Sequence, residues 1–477
     1  MRENVPLIAP NPVPLPVRAA TRKLGPPVSK RATIPKPRWQ AYVCLPAMLW
    51  LMLWAALNSG PWVFREWPVS FRDWLHFART TFPLIAFVVA PLAGRVRRLG
   101  AGLPGPLRLW ALYGVLGVLA AAMSPQPLDA LYFGVTYLSA FVVLAAYLRG
   151  GDPLERSVEL NYLTWFVTTG ILAILCVMAR HVLSDAAEGA TSAAYNVADR
   201  VGKGGDVGGM AMVLSSGFAR FAAVPAVVAY VMLWRDRRAW RRLIWAGLLS
   251  GACMVVYLMQ SRGATASLAF ALLVTTYVLG KRARVIGFVV LLAGVLAIAI
   301  ELVPQRTTQS VFMHLTRGET IDRLGRMGGR TTSWEMAWDY VDQSPIIGSG
   351  FQADRYLGLG HVHNTYLYVL LTAGIVGLVP FVGGLAWTWL AVLRALKRNL
   401  PDRLACEPVF AQTVGILAFF TMRGIPEVCG GLFMVDLMVM LPAMAYLARF
   451  ARPARRPRDA KVILKVLPVK PAERAPR

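Results

Sequence analysis

Apolar segments of membrane length fill most of this 477-residue chain. A helix needs about 20 apolar residues to cross a bilayer, because backbone polar groups in lipid must pair within the helix itself. Twelve such segments are predicted, at 42–59, 75–94, 107–123, 128–148, 161–183, 211–234, 242–260, 263–280, 285–302, 364–393, 407–423 and 430–448. With 56% hydrophobic and only 16% charged residues, the chain is predicted to be an all-α polytopic membrane protein rather than a string of soluble domains.

Basic residues in the connecting segments predict the orientation. If every span crosses, 36 Lys and Arg residues fall on one side and 10 on the other. The positive-inside rule places the basic side in the cytoplasm. Residues 1–41, which are basic and Pro-rich, and residues 449–477 are then cytoplasmic tails of a membrane domain at 42–448. We therefore interpret the net charge of +26 as a topology signal and not as a nucleic-acid surface.

One long polar loop, residues 303–363, faces outward in this topology. It holds three of the five histidines, His314, His361 and His363. Its six arginines are Arg306, Arg317, Arg323, Arg326, Arg330 and Arg355. Titratable groups are thus gathered beside the bilayer, where headgroups lie, which favours an enzyme acting on a lipid-linked substrate.

An amphipathic helix is predicted within this loop at 331–343. Thr332 and Glu335 have the spacing of a capping box at its start. Trp334 and Trp338 share one face, which suits a helix resting at the membrane interface.

Five further arginines lie inside or at the edge of predicted spans, towards their outer ends: Arg79, Arg180, Arg220, Arg262 and Arg423. Each costs roughly 2.5–3.5 kcal/mol to insert, so each needs a partner or a task. They snorkel to headgroups, or pair with Asp73, Asp185 or Glu427, or together form a pocket for a multiply charged anion.

His363 stands where the loop re-enters the membrane and is the candidate general base, since neutral imidazole accepts a hydroxyl proton near neutral pH. A helix-capping or hydrogen-bonded interfacial histidine is the alternative. His361 completes a His-x-His pair that can ligate metal, but no third ligand is evident, so we predict no metal. Arg330 is either a salt-bridge partner or a substrate clamp.

These residues resemble the bacterial O-antigen ligase and polysaccharide polymerase superfamily. The motifs are Gly329-Arg330 with Trp334, then Ser-Pro-Ile-Ile-Gly-Ser-Gly-Phe at 344–351. They continue with His-Asn-Thr-Tyr-Leu at 363–367, followed by Gly374 and Gly377, and include Ser-Arg-Gly at 261–263. The detailed similarity covers about 260–380.

The resemblance implies a metal-independent, inverting membrane glycosyltransferase without a cofactor, in the bacterial inner (plasma) membrane with its active site facing the periplasm. Its donor would be an undecaprenyl-diphosphate-linked oligosaccharide, held in membrane lipid. His363 would activate the acceptor; Arg262 and Arg330 would bind the diphosphate, with Arg220 as a third clamp on a looser match. Accessory roles are expected for His361, Asn364 and Trp334.

The acceptor is left open between two enzymes. A polymerase of a secreted or cell-surface polysaccharide, working with flippase and chain-length or export proteins, is preferred over an O-antigen ligase that delivers the glycan to lipid A–core. A lipid-linked glycan flippase would need ionisable groups near the bilayer midplane and paired broken helices, neither of which the sequence indicates. A non-catalytic assembly partner would tolerate loss of His363.

Overall fold

The computed structural model describes residues 39–57, 70–93, 102–178, 215–259, 261–280, 330–397 and 408–451. All regular structure in these ranges is helical. The helices are α1 (Trp39–Ala55), α2 (Phe71–Ala93), α3 (Gly105–Ala120), α4 (Pro127–Arg149), α5 (Pro153–Met178), α6 (Ser215–Arg235), α7 (Ala239–Leu258), α8 (Arg262–Val278), α9 (Arg330–Gln343), α10 (Ala353–Tyr356), α11 (Thr365–Lys397), α12 (Pro408–Arg423) and α13 (Val435–Leu447), with short 3₁₀ helices at Ala121–Met123 and Ala448–Ala451.

The polytopic all-α prediction is confirmed. Within the described ranges, seven helices are long and apolar enough to cross a membrane, and shorter apolar helices accompany them. Eleven of the twelve predicted spans overlap described helices; the span at 285–302 lies outside the described residues. Helix α1 begins at Trp39, so it includes the last residues assigned to the N-terminal tail, and most of both tails lies outside the described ranges.

Aromatic side chains in the core hold the loop between α12 and α13. Trp110 of α3 stacks on Phe381 of α11 with ring centroids 4.6 Å apart. The buried hydroxyls of Tyr113 and Tyr137 donate hydrogen bonds to the carbonyl oxygens of Gly431 and Gly430, at 2.8 and 3.2 Å. A buried hydroxyl needs such a partner, since leaving it unpaired costs about 1–3 kcal/mol. The loop is therefore anchored from inside the bundle.

Helix α11 is broken at its first third, where the 344–351 segment meets it. Ala373 (φ −141°, ψ 19°) and Gly374 (φ 58°, ψ −164°) leave the helical conformation. A Cβ on Gly374 would lie 2.1 Å from the carbonyl oxygen of Ile346, so only glycine fits.

Backbone hydrogen bonds across this break replace those the helix loses. The N–H groups of Ser349 and Gly350 donate to the carbonyl oxygens of Leu371 and Thr372, at 2.7 and 2.9 Å. Ile375 N–H donates to the carbonyl oxygen of Pro345 at 2.9 Å. The two stretches that carry the resemblance, 344–351 and 363–377, thus form one unit.

Phe351 anchors the same segment in the bundle. Its ring is fully buried and packs against Tyr113 and Tyr137, with centroids 5.7 and 5.2 Å away. Gly117 and Gly134 make room for it, since a Cβ at either would lie within 3.2 Å of the ring. The loop that leads to His363 is therefore fixed to the membrane domain at two points.

Arg79 binds backbone carbonyl groups at the end of α1 and is not part of an anion pocket. Its Nε and Nη2 atoms donate to the carbonyl oxygens of Ala55 and Leu57, at 2.9 and 2.8 Å. These carbonyls are left without helical partners at the end of α1, where a cation is favourable. Asp73, one of the three carboxylates considered as partners for the membrane arginines, accepts hydrogen bonds from the backbone N–H and the hydroxyl of Ser70 at the start of α2.

Candidate functional site

The carboxylate of Glu427, in the loop between α12 and α13, contacts three basic side chains from three different parts of the chain. His363 Nδ1 lies 3.1 Å from Glu427 Oε2, and Arg330 Nη2 lies 3.1 Å from Oε1. Arg220 Nη2 approaches Oε2 at 3.6 Å. The structure therefore brings the expected base and one expected clamp, His363 and Arg330, onto the same carboxylate.

A second carboxylate lies behind the first. Asp436, at the start of α13, accepts a 2.8 Å hydrogen bond from Arg220 Nη1, and the exposed fractions of the two side chains are 0% and 6%. Arg423, the last residue of α12, is also fully buried and its charge acts on Glu427. Three guanidinium groups, those of Arg220, Arg330 and Arg423, face two carboxylates, which leaves one net positive charge. The cluster therefore favours an anion.

Glu427 stays ionised in this setting. Burial raises the pKa of its carboxyl group, but the hydrogen bond from His363 and the charges of Arg220 and Arg423 outweigh burial and lower it to about 2. Burial also raises the pKa of the neighbouring Cys429 thiol well above its usual range, so that side chain stays neutral. An ionised carboxylate only accepts hydrogen bonds.

His363 adopts a left-handed backbone conformation, with φ 50°. This region is uncommon for residues other than glycine and costs roughly 1–3 kcal/mol, although His, Asn and Asp tolerate it better than most. The turn aims the imidazole at Glu427 just before α11 begins. Asn364 caps that helix, since its Oδ1 accepts hydrogen bonds from the backbone of Tyr366 and Leu367 at 2.9 and 3.0 Å.

Thr365 ties the start of α11 to the loop that carries Glu427. Its backbone N–H donates to Gly424 O at 2.9 Å. Its hydroxyl donates to the carbonyl oxygen of Glu427 at 2.9 Å and accepts from Cys429 N–H at 2.8 Å. The imidazole and the carboxylate therefore belong to one rigid unit.

Helix α9 confirms the predicted helix at 331–343 and supplies Arg330 as its first residue. Because the helix already begins at Arg330, Thr332 lies inside the first turn, so the predicted capping box at Thr332 and Glu335 is wrong. Trp334 Nε1 donates a 2.7 Å hydrogen bond to the carbonyl oxygen of Val362, which pins the segment between the two histidines. Trp338 remains half exposed, and its position at a membrane interface stays a prediction.

His361 pairs with a carboxylate of its own. Its Nδ1 lies 3.2 Å from Oδ2 of Asp354, which is buried. The rings of His361 and His363 are 4.4 Å apart.

His361, His363 and Glu427 could also hold a metal ion, since one ligand atom of each lies within 4.8 Å of the others. The donor types suit zinc or another transition metal. A cation there would stand against Arg220 and Arg330, which already share the carboxylate, so the electrostatics fit an anion better than a metal.

Arg262 opens α8, beside the same loop. A Cβ on its neighbour Gly263 would lie 3.2 Å from the Pro426 side chain and 3.7 Å from Arg423 Nη1, so the backbone of α8 begins next to the turn that carries Glu427. The Arg262 side chain is exposed. The positive end of the α8 dipole points into this region as well.

Sequence reasoning missed the acidic residues at the centre of the site. Glu427 was considered only as a partner for a membrane arginine, and Asp436 and Asp354 were given no role. An acidic residue within or beside an apolar span is itself a signal of a buried partner, and the positions of Glu427 and Asp436 in the sequence carry that signal. His314, Arg180 and the loop arginines Arg306, Arg317, Arg323 and Arg326 lie outside the described residues.

The O-antigen ligase family model matches residues 248–382, which takes in Arg262, Arg330, His363 and the break in α11. The match confirms the resemblance to the O-antigen ligase and polymerase superfamily. No curated protein matches the chain.

Proposed function

We propose that this chain, whose residues 248–382 belong to the O-antigen ligase family, is a glycosyltransferase that moves a glycan from a polyprenyl diphosphate to an acceptor hydroxyl. The observation that carries the proposal is the shared carboxylate. His363, two residues before α11 begins, and Arg330 both contact the Glu427 side chain, the first as the proposed base and the second as the proposed clamp. Base and clamp are thereby held side by side, as transfer from a charged leaving group requires.

The proposed reaction needs one base. His363 takes the proton of the acceptor hydroxyl, and the oxygen attacks the anomeric carbon of the donor. The bond between that carbon and the diphosphate oxygen breaks on the opposite face, and its electron pair leaves with the diphosphate. Attack opposite the leaving group inverts the anomeric configuration. The His363 side chain is 32% exposed, so the hydroxyl of an acceptor can reach its imidazole.

The arginines have unequal roles in this proposal. Arg330, 30% exposed, uses one nitrogen on Glu427 and keeps further N–H donors for phosphate oxygens. Arg262 approaches from the exposed start of α8. Arg220 is buried and bound by Asp436, so we assign its effect on the diphosphate to charge rather than to contact. Fixed positive groups stabilise the developing negative charge of the leaving group without a metal.

We place the reaction at the extracytoplasmic face of the bacterial plasma membrane, as the distribution of basic residues predicts. The donor is then undecaprenyl-diphosphate-linked oligosaccharide in the outer leaflet. We favour a polymerase, which passes the growing glycan to the next lipid-linked repeat. A ligase that transfers the glycan to lipid A–core uses the same donor and the same base, and differs only in the acceptor.

His363→Asn tests the proposed base. Asparagine tolerates the left-handed backbone at this position and keeps a polar side chain, but it cannot accept the proton. We expect normal protein levels and a loss of glycan transfer of at least about 100-fold, the usual share of general base catalysis. Transfer at the wild-type rate in His363→Asn would refute the proposal.

The accumulated species separates the two acceptors. In a strain that carries only His363→Asn, a polymerase leaves single repeats on the lipid carrier. A ligase leaves intact lipid-linked polymer and bare lipid A–core. His76→Asn is the matched control, since His76 lies within α2, and we expect it to leave transfer unchanged.

A further inference from the structure

Glu427 does more than neutralise charge. We propose that it is the positioning residue of the site, which fixes the proton on His363 and holds Arg330 beside the base. This inference rests on the proposed glycan transfer and adds to it a residue outside the matched 248–382 segment.

The first step is the direction of the hydrogen bond. An ionised carboxylate can only accept, and the pKa of Glu427 lies at about 2 because the contacts with His363 and the arginines outweigh its burial. The hydrogen shared at 3.1 Å is therefore on Nδ1 of His363. The neutral ring then carries its lone pair on Nε2, the one nitrogen left to accept a proton from the acceptor.

The second step is the division of labour between the two carboxylates. Asp436 takes the buried Arg220 at 2.8 Å, whereas Glu427 stands 3.6 Å from the same guanidinium. Oε1 of Glu427 therefore pairs with Arg330, and Oε2 makes its closer contact, at 3.1 Å, with His363. A carboxylate needed only for charge balance would not have to divide its two oxygens in this way.

The third step is rigidity. The carbonyl oxygen of Glu427 accepts the Thr365 hydroxyl, and Thr365 follows His363 by two residues. Glu427, 3% exposed, therefore cannot shift without moving the start of α11. Such an orienting partner resembles in principle the carboxylate that fixes the tautomer of a catalytic histidine in hydrolases.

Other charged groups bear on the same imidazole. Arg220, Arg330 and Arg423 surround Glu427, and His361, which pairs with Asp354, has its ring 4.4 Å from the ring of His363. When His363 becomes an imidazolium during transfer, Glu427 is the anion in direct contact with it. Removing that negative charge makes the imidazolium easier to deprotonate.

Glu427→Gln is the direct test, measured with the full-length protein in detergent or vesicles and normalised to folded protein. We expect kcat to fall by at least about 100-fold, because the amide can donate to Nδ1 and place the hydrogen on Nε2. The donor KM should change far less than kcat. The acid limb of the kcat profile against pH should move to lower pH, which a purely structural role would not produce.

Glu427→Asp keeps the charge but withdraws it by one methylene. We expect a folded protein with kcat between those of the wild type and Glu427→Gln, and this variant decides the matter if Glu427→Gln does not accumulate. Glu159→Gln, which removes a half-exposed carboxylate far along the chain, is the matched control and should keep the wild-type kcat.

The outcomes separate this inference from the proposed function. If His363→Asn abolishes transfer while folded Glu427→Gln or Glu427→Asp keeps the wild-type kcat, Glu427 is not a positioning residue and the base stands. If His363→Asn transfers glycan normally, the proposed function itself fails.

Discussion

Replacing Gly374 by alanine should break the unit that holds the site. Gly374 has φ 58° and ψ −164°, a combination in which a side chain costs roughly 1–3 kcal/mol. The new Cβ would also lie 2.1 Å from the carbonyl oxygen of Ile346, and 2.6 Å from Ile347 N. Because these are backbone atoms on an anchored segment, the segment itself has to move.

The magnitude follows from the hydrogen bonds that such a movement breaks. Four backbone bonds join the 345–350 segment to the break, those from Ser349, Gly350, Ile375 and Val376, and each contributes about 0.5–1.5 kcal/mol. Losing two of them in addition to the backbone strain gives roughly 2–6 kcal/mol. For a chain of this size, that corresponds to a fall in Tm of roughly 2–6 °C.

The assay is thermal unfolding of the purified protein in detergent, with glycan transfer measured on the same sample. Gly383→Ala is the matched control, since it lies in the same helix and its Cβ would make only an ordinary contact, 3.6 Å from Leu109. We expect the control to equal or slightly exceed the wild type in stability. If Gly374→Ala has the same Tm as the control and transfers glycan normally, the break in α11 has no part in holding the site.

Two further predictions concern the donor and the metal. Arg262→Lys should raise the donor KM by about tenfold, because an ammonium cannot form the paired contacts of a guanidinium and one charge-assisted hydrogen bond contributes about 1.5 kcal/mol. Arg241→Lys is the control. Equal KM values for the two variants would exclude Arg262 from the diphosphate site. Treatment with EDTA should leave transfer unchanged despite the metal-compatible spacing of His361, His363 and Glu427, whereas a loss that a divalent cation restores would establish a metal requirement.

The fold was predictable from the sequence because the signal for each membrane helix is local. Of the twelve spans predicted from hydropathy over about 20 residues, eleven overlap helices in the described parts of the chain. A segment in lipid has to pair its backbone polar groups internally, so it forms a helix. The break at Gly374 was not predicted. It depends on the 344–351 segment, which supplies hydrogen bonds from outside the helix, and hydropathy contains no information on that pairing.

The candidate site was predictable only in part, for a related reason. His363 and Arg330 stand in local motifs, so each could be identified from its neighbours in the chain. Glu427 lies 64 residues from His363 and 97 from Arg330, and Asp436 lies 216 from Arg220. These contacts arise from helix packing, so the sequence alone indicated that the arginines needed partners but did not indicate which carboxylates serve them.

The most direct measurement of the central claim compares donor binding and glycan transfer in His363→Asn with purified protein and an undecaprenyl-diphosphate-linked oligosaccharide. The arginines remain in place in this variant, so we expect donor affinity close to that of the wild type, together with a loss of transfer of at least about 100-fold. Transfer that persists at the wild-type rate while the donor is bound would contradict the assignment of His363 as the base.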